Sequence, residues 1–258
     1  MTLTDNLLNS QSILAFPFRD PQWVKKTLLG AVISLAGIVI PILPWIVVWG
    51  YISETIRRVH AGELEPALPE WSDLGGLLNK GLRMFGAVFI YMLPMNLLLF
   101  GAYVVMMTVS LAVPLIAGAG HSKTNSLISL LGGLTPLALM PLMAVGFVLM
   151  AVTALLLPAV IGEVAVTGEF SAAFRFKTWW RKLTVNWSGF LLVAVLYAGL
   201  TMAMTTVFQV FYMTLVCCPL GFVAILPAGF LTMAISAALV GQAMLTAESR
   251  LAAAPEAA

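Results

Sequence analysis

The sequence predicts an all-α integral membrane protein of about six transmembrane helices. They are arranged as three hairpins, each preceded by an interfacial segment of aromatic and basic residues. Three observations lead there. Of 258 residues, 61% are hydrophobic and 9% charged, whereas a soluble domain carries roughly a quarter charged residues. Charge is absent from four long runs, Thr27 to Ser53, Met84 to Ser122, Thr124 to Gly162 and Ser188 to Ala247, and about 20 helical residues suffice to cross a hydrocarbon core of about 30 Å. An aromatic and basic phrase appears twice, "FRDPQWVKK" at Phe18 to Lys26 and "FRFKTWWRK" at Phe174 to Lys182, each time just ahead of an apolar run.

Residues 1–26 read as a cytoplasmic interfacial segment. The first basic residue is Arg19 and the first long apolar run begins only at Thr27, so a cleaved leader is not expected and the first span should be retained. Asp20 and Pro21 suit the N-cap and first position of a helix that Trp23, Lys25 and Lys26 open. The middle of this run reads "IVIPILPW". Prolines at 41 and 44 each remove a backbone hydrogen bond and crowd the preceding turn, which favours a reversal over a straight rod. Helices are therefore expected near Gln22 to Ile40 and Leu43 to His60. Their arms are short enough for entry only part way into the bilayer. A single crossing would instead put Arg57 and Arg58 on the opposite side from Arg19, Lys25 and Lys26, against the positive-inside tendency.

A second interfacial segment, about 61–83, contains "LPEWSDLGGLLNKGLRMF" from Leu68 to Phe85. There Trp71, Leu74, Leu78 and Leu82 form a helical stripe, with Asp73, Asn79, Lys80 and Arg83 away from it. The run Thr124 to Gly162 would measure about 60 Å as one helix, so a break is expected at Pro136 and Pro141, leaving Leu127 to Gly133 as outer-surface or re-entrant structure. In the third segment, about 163–187, Ala172, Phe176, Trp179, Trp180 and Leu183 share one helical face. Lys177, Thr178, Arg181 and Lys182 share the other, as in a helix lying at the membrane interface. The last run breaks at "CCPLGF", where Pro219 and Gly221 punctuate it, giving helices near Ser188 to Leu215 and Leu220 to Ala247. One transmembrane domain thus spans 27–247, and 248–258 form a short cytoplasmic tail.

With this topology both termini face the cytoplasm of a prokaryotic cell, in its inner membrane. Twelve of the thirteen basic residues and all eleven acidic ones then lie inside, leaving His121 and Lys123 outside. The net charge of +2 gives no basis for a nucleic-acid partner.

Catalytic signals are lacking. Cys217 and Cys218 are adjacent and cannot build an ordinary disulfide framework; they read as small hydrophobes. There is no zinc-protease, phosphate-loop or nucleophile-elbow motif, so no enzyme, metal or cofactor is expected. The fourteen methionines read as flexible gap-fillers. No Asp, Glu, Lys or Arg lies in the interior of a span, which counts against carboxylate-coupled transport.

The residues left to carry function are those beside the spans: Trp23, Lys25, Lys26, Arg57, Arg58, Trp71, Lys80, Arg83, Trp179, Trp180, Arg181 and Lys182. Rings at the acyl boundary and cations at the headgroups suit an anionic phospholipid surface or a membrane-protein complex. The expected role is a non-catalytic, membrane-organising or accessory subunit. An alternative is a permease or channel for a lipid-like or apolar solute, its path lined by Asn96, Thr201, Thr205 and Gln209, although helix-to-helix hydrogen bonding explains that stripe more simply.

The stretch "WGYISETIRRVHAGELEPALPEWSDLGGLLNKGLRMFGAVFIY", Trp49 to Tyr91, with "FPFRDPQWVKK" ahead of it, resembles a family of prokaryotic multipass membrane proteins classified only as a domain of unknown function. The resemblance runs from about Leu14 to Ala247. Its most specific pieces are Gly50-Tyr51, Leu68-Pro69-Glu70-Trp71 and Lys80-Gly81. It implies a helical membrane fold and supplies no activity and no catalytic residue.

Overall fold

The computed structural model describes residues 15–63, 68–119, 122–213 and 218–253, with the side chains at 114, 116–119, 122–129, 131 and 218–223 left aside. His121 and Cys217, and the side chains of Lys123 and Cys218, lie outside the described residues. Seven α-helices and no strand occur among the described residues: α1 (Trp23–Ala36), α2 (Leu43–His60), α3 (Leu74–Ala119), α4 (Ser122–Thr167), α5 (Phe176–Val185), α6 (Trp187–Met213) and α7 (Cys218–Ala253). Short 3-10 turns at Pro17–Arg19 and Phe170–Phe174 precede α1 and α5.

Four segments are long and apolar enough to cross a membrane: Leu74–Val113, Gly132–Thr167, Trp187–Met213 and Ala224–Ala253. The arms of the expected first hairpin, α1 with 14 residues and α2 with 18, are not among them. Residues 37–42 between them are not helical; Pro41 lies in that break and Pro44 in the first turn of α2.

Two expectations are corrected. Helix α4 runs through Pro136 and Pro141 without a break, so Leu127–Gly133 is helical and not a surface or re-entrant stretch. Each proline removes one donor, a loss that membrane helices tolerate when neighbouring groups adjust. Helix α3 likewise starts at Leu74 and continues into the span, so Leu74 to Phe85 is no separate interfacial helix. Its inward face is Leu77, Gly81, Met84 and Val88, while Leu74 and Leu82 are exposed.

The chain forms two compact units, Met1–Val88 with Leu155–Ala258, and Phe89–Ala154. In the second, the α3 and α4 halves run antiparallel, with Gly132 beside Val113 and Gly146 beside Leu98 and Leu99. The first unit is organised around α7, which packs against α1, α2, α5 and α6. Ala234, Ala237, Ala238, Gly241, Ala243 and Ala247 make this possible, because small side chains let helix backbones approach.

Helices α2 and α3 cross more closely still. A Cβ added at Gly50 would lie 1.8 Å from the Leu77 carbonyl oxygen, and one at Gly81 would lie 1.8 Å from that of Ile46. Both positions therefore exclude every residue but glycine.

Candidate interfacial site

The pieces that carry the sequence resemblance converge where the Leu68–Trp71 loop meets α2, α3 and the start of α1. Gly50 and Gly81 form the helix crossing just described. One residue on, Tyr51 is fully buried, donates its hydroxyl to the Pro69 carbonyl at 3.1 Å, and stacks on Trp71 with ring centroids 4.2 Å apart. Phe230 of α7 closes the aromatic group. The Trp71 indole donates to the Lys26 carbonyl at 3.0 Å, which ties "LPEW" to α1.

Lys26 is buried, yet its ammonium is fully used. It meets Asp20 at 2.9 Å, Glu70 at 2.6 Å and the Leu68 carbonyl at 2.8 Å, three partners for three donors. Asp20 in turn accepts from the Leu68 and Gln22 amides. Burial pushes the Asp20 carboxyl up, but the Lys26 ammonium and the two amides outweigh it and hold the group below its ordinary value. Asp20 therefore caps the turn that leads into α1, and the helix starts at Trp23, later than the sequence suggests. A charge removed from water needs such a complete set of partners to avoid a penalty of several kcal/mol.

A second, partly buried network joins four helices. Lys182 of α5 meets Glu163 of α4 and Glu248 of α7, each at 2.7 Å, and His60 of α2 meets the other oxygen of Glu248 at 2.8 Å. Burial works against the Lys182 charge, but its two carboxylate partners prevail and hold its pKa above the usual lysine value. Beside it the Asn186 amide donates to the Ala243 carbonyl and Arg250 to that of Val185. The C-terminal half of α5 is thus fastened to the body.

This arrangement divides the helix face expected of α5. Trp179 and Leu183 turn inward, and the Trp179 indole donates to the Ala173 carbonyl. Phe176 and Trp180 stay exposed at 58% and 51%. Lys182, expected on the outward cationic face, is buried because carboxylates from two other helices reach it. The outward residues include Phe176, Lys177, Thr178, Trp180 and Arg181.

The other candidate residues are placed as follows. Arg57 and Lys80 share Glu54, and Arg58 faces Glu63. Arg83 donates to the Gly168 carbonyl, and Arg175 pairs with Glu169. Trp23 is half-buried and makes a T-shaped ring contact with Phe18, while Lys25 is exposed. Arg19, Lys25, Lys177 and Arg181 have no ion-pair partner among the described residues. On α6, Thr205 and Gln209 are exposed and the Thr205 hydroxyl bonds its own helix at the Thr201 carbonyl; Asn96 of α3 is exposed.

Sequence reasoning did not select Glu70, Glu163 and Glu248 as partners, since these pairings join residues up to 188 positions apart, and it read Asp20, six positions from Lys26, only as a helix cap. The one local signal was their position at the ends of apolar runs. Among curated proteins and among solved structures nothing matches the chain. Residues 33–217 match the family described as "Protein of unknown function (DUF4013)", and the chain belongs to that family.

Proposed function

We propose that this protein is a non-catalytic multipass subunit of the cytoplasmic membrane, with both termini cytoplasmic. In this reading it organises its surroundings by holding anionic lipid headgroups on the outward edge of α5 and the start of α1. The observation that carries the reading is the division of α5. Lys177 and Arg181 are exposed among Phe176 and Trp180, while the opposite edge is fixed to the body by Trp179, Lys182 and Leu183. Rings beside cations on a rigid ledge suit the level where acyl chains meet phosphates. Of the candidates expected from the sequence, Lys25 and Arg181 then hold headgroups, Lys177 joins them, and the buried Lys26 and Lys182 hold the fold.

Each cation at a charged lipid surface contributes about 1 kcal/mol, roughly a fivefold change in affinity. The test replaces Lys25, Lys177 and Arg181 together by Gln and compares phosphatidylglycerol retained in mild detergent, by native mass spectrometry, with that of the unaltered protein. Retention should fall by about two orders of magnitude if the three act additively, with phosphatidylcholine retention unchanged. Equal retention of both lipids by both proteins would sink the proposal, and loss of a co-isolated protein instead would make the ledge a partner-docking site.

A further inference from the structure

We infer that the α1–α2 hairpin is a re-entrant element that enters the bilayer from the side of its charged base, seats its tip among acyl chains and returns without crossing. It rests on the membrane reading above but not on headgroup binding by α5.

Length is the first argument. Helix α1 has 14 residues, about 21 Å at 1.5 Å per residue. The uncharged part of α2, Leu43 to Ser53 before Glu54, rises about 16 Å, and the hydrocarbon core is about 30 Å thick. The base is fixed at one level by buried Asp20 and Lys26 and by Glu54 with Arg57 and Lys80. From that level the tip stops well short of the far surface.

Exposure is the second. Ile38 and Val39 are 76% and 83% exposed. Ile40, Ile42 and Leu43 are also exposed. Along the outer face of α1, Val24, Leu28, Val32 and Leu35 continue the patch down to Lys25. No charged residue interrupts it above the base, so its complement is hydrocarbon.

Backbone chemistry is the third and the most demanding, because a turn in hydrocarbon cannot leave its amides free. Here the Gly37, Ile38 and Val39 amides donate to the Ser34, Leu35 and Ala36 carbonyls at 3.0–3.1 Å, and Ile40 also donates to Ala36 at 2.9 Å. The Leu43 amide donates to Pro41 and that of Ile46 to Ile42. Pro41 and Pro44 have no amide hydrogen to satisfy. The reversal is completed at Ile42, whose φ is +74°, a strained conformation for a β-branched residue. Two prolines and one strained isoleucine thus make a sharp turn with few free donors.

The experiment places a nitroxide at Val39→Cys, in protein whose Cys217 and Cys218 are Ser, reconstituted in liposomes. Accessibility to oxygen and to a polar nickel chelate is measured there and, as a base reference, at Gln22→Cys. High oxygen and low nickel accessibility at Val39, with a depth about 10–20 Å below the Gln22 label, is the expected result. Low accessibility to both reagents would mean that protein covers the tip, and high nickel accessibility would put it at a surface; either overturns the proposal. A membrane-impermeant maleimide applied to Ile40→Cys then separates a full crossing, labelled from the side opposite Gln22→Cys, from a hairpin lying on the near surface. In the expected case, labelling rises at least ~10-fold only after detergent solubilisation.

Discussion

Two segments of nearly the same hydropathy behave in opposite ways. Ala224–Ala253 of α7 has 44% of its most apolar window buried within the protein, whereas Leu74–Val113 of α3 has 6%. The former carries Ala234, Ala237, Ala238, Gly241, Ala243 and Ala247 on its contact faces. The latter presents Leu97, Phe100, Val104, Val105, Met107 and Leu111 outward. Hydropathy thus says that a segment suits a membrane but not whether lipid or protein surrounds it. In a bilayer, where lipid tails are as apolar as leucine, side-chain size decides that, because only small residues allow close van der Waals packing between backbones.

The largest break in this comparison should come at the closest approach. Gly81→Leu forces atoms into the Ile46 carbonyl, and a loss of more than about 4 kcal/mol is expected. It should be read as loss of a monodisperse peak on size exclusion in mild detergent. Leu111→Ala on the exposed segment should leave that peak unchanged.

Next come the buried charges. Lys26→Met strands Asp20, and Lys182→Met strands Glu163, so each should cost about 3–5 kcal/mol by thermal unfolding in detergent. The double variant Lys182→Met with Glu163→Leu should recover much of the loss, since a matched apolar pair no longer leaves a carboxylate unpaired. Unchanged unfolding of Lys182→Met would refute the network.

The pH dependence sharpens the same point. The Asp20 carboxyl lies below its ordinary 3.8, so its stabilisation is complete above about pH 4 to 5 and is lost as pH falls through the folded value. Lys182 is raised above 10.5, so its contribution is complete below the unfolded value and fades only as pH rises through the folded one. These two groups should give a plateau in melting temperature from roughly pH 5 to 9. Asp20→Asn should remove part of the acid-side fall.

The smallest effect belongs to Tyr51→Phe, which keeps the stack on Trp71 but loses one hydrogen bond, at a cost of about 1 kcal/mol. No change in unfolding would mean that the stack alone positions "LPEW". By contrast Lys177→Gln, at an exposed site, should alter stability by no more than ~0.5 kcal/mol.

By itself the sequence determined the all-helical character, the apolar runs and the helix break at Pro41, because hydropathy, charge exclusion and proline chemistry are local. It also gave the pieces of family resemblance, Gly50-Tyr51, Leu68 to Trp71 and Lys80-Gly81, without a reason for them. Tertiary structure supplied the reason: two glycines crossing, and a tyrosine stacked on a tryptophan that is bonded to α1. It also decided which cations face outward. Lys25 and Lys26 are neighbours, as are Arg181 and Lys182, yet one of each pair is buried and one exposed. That choice depends on carboxylates, buried Asp20 and the loop residue Glu70 for Lys26, and Glu163 and Glu248 from two other helices for Lys182. Coulombic pairing acts through space, so apart from Asp20, six residues before Lys26, no short window along the chain contains these partners.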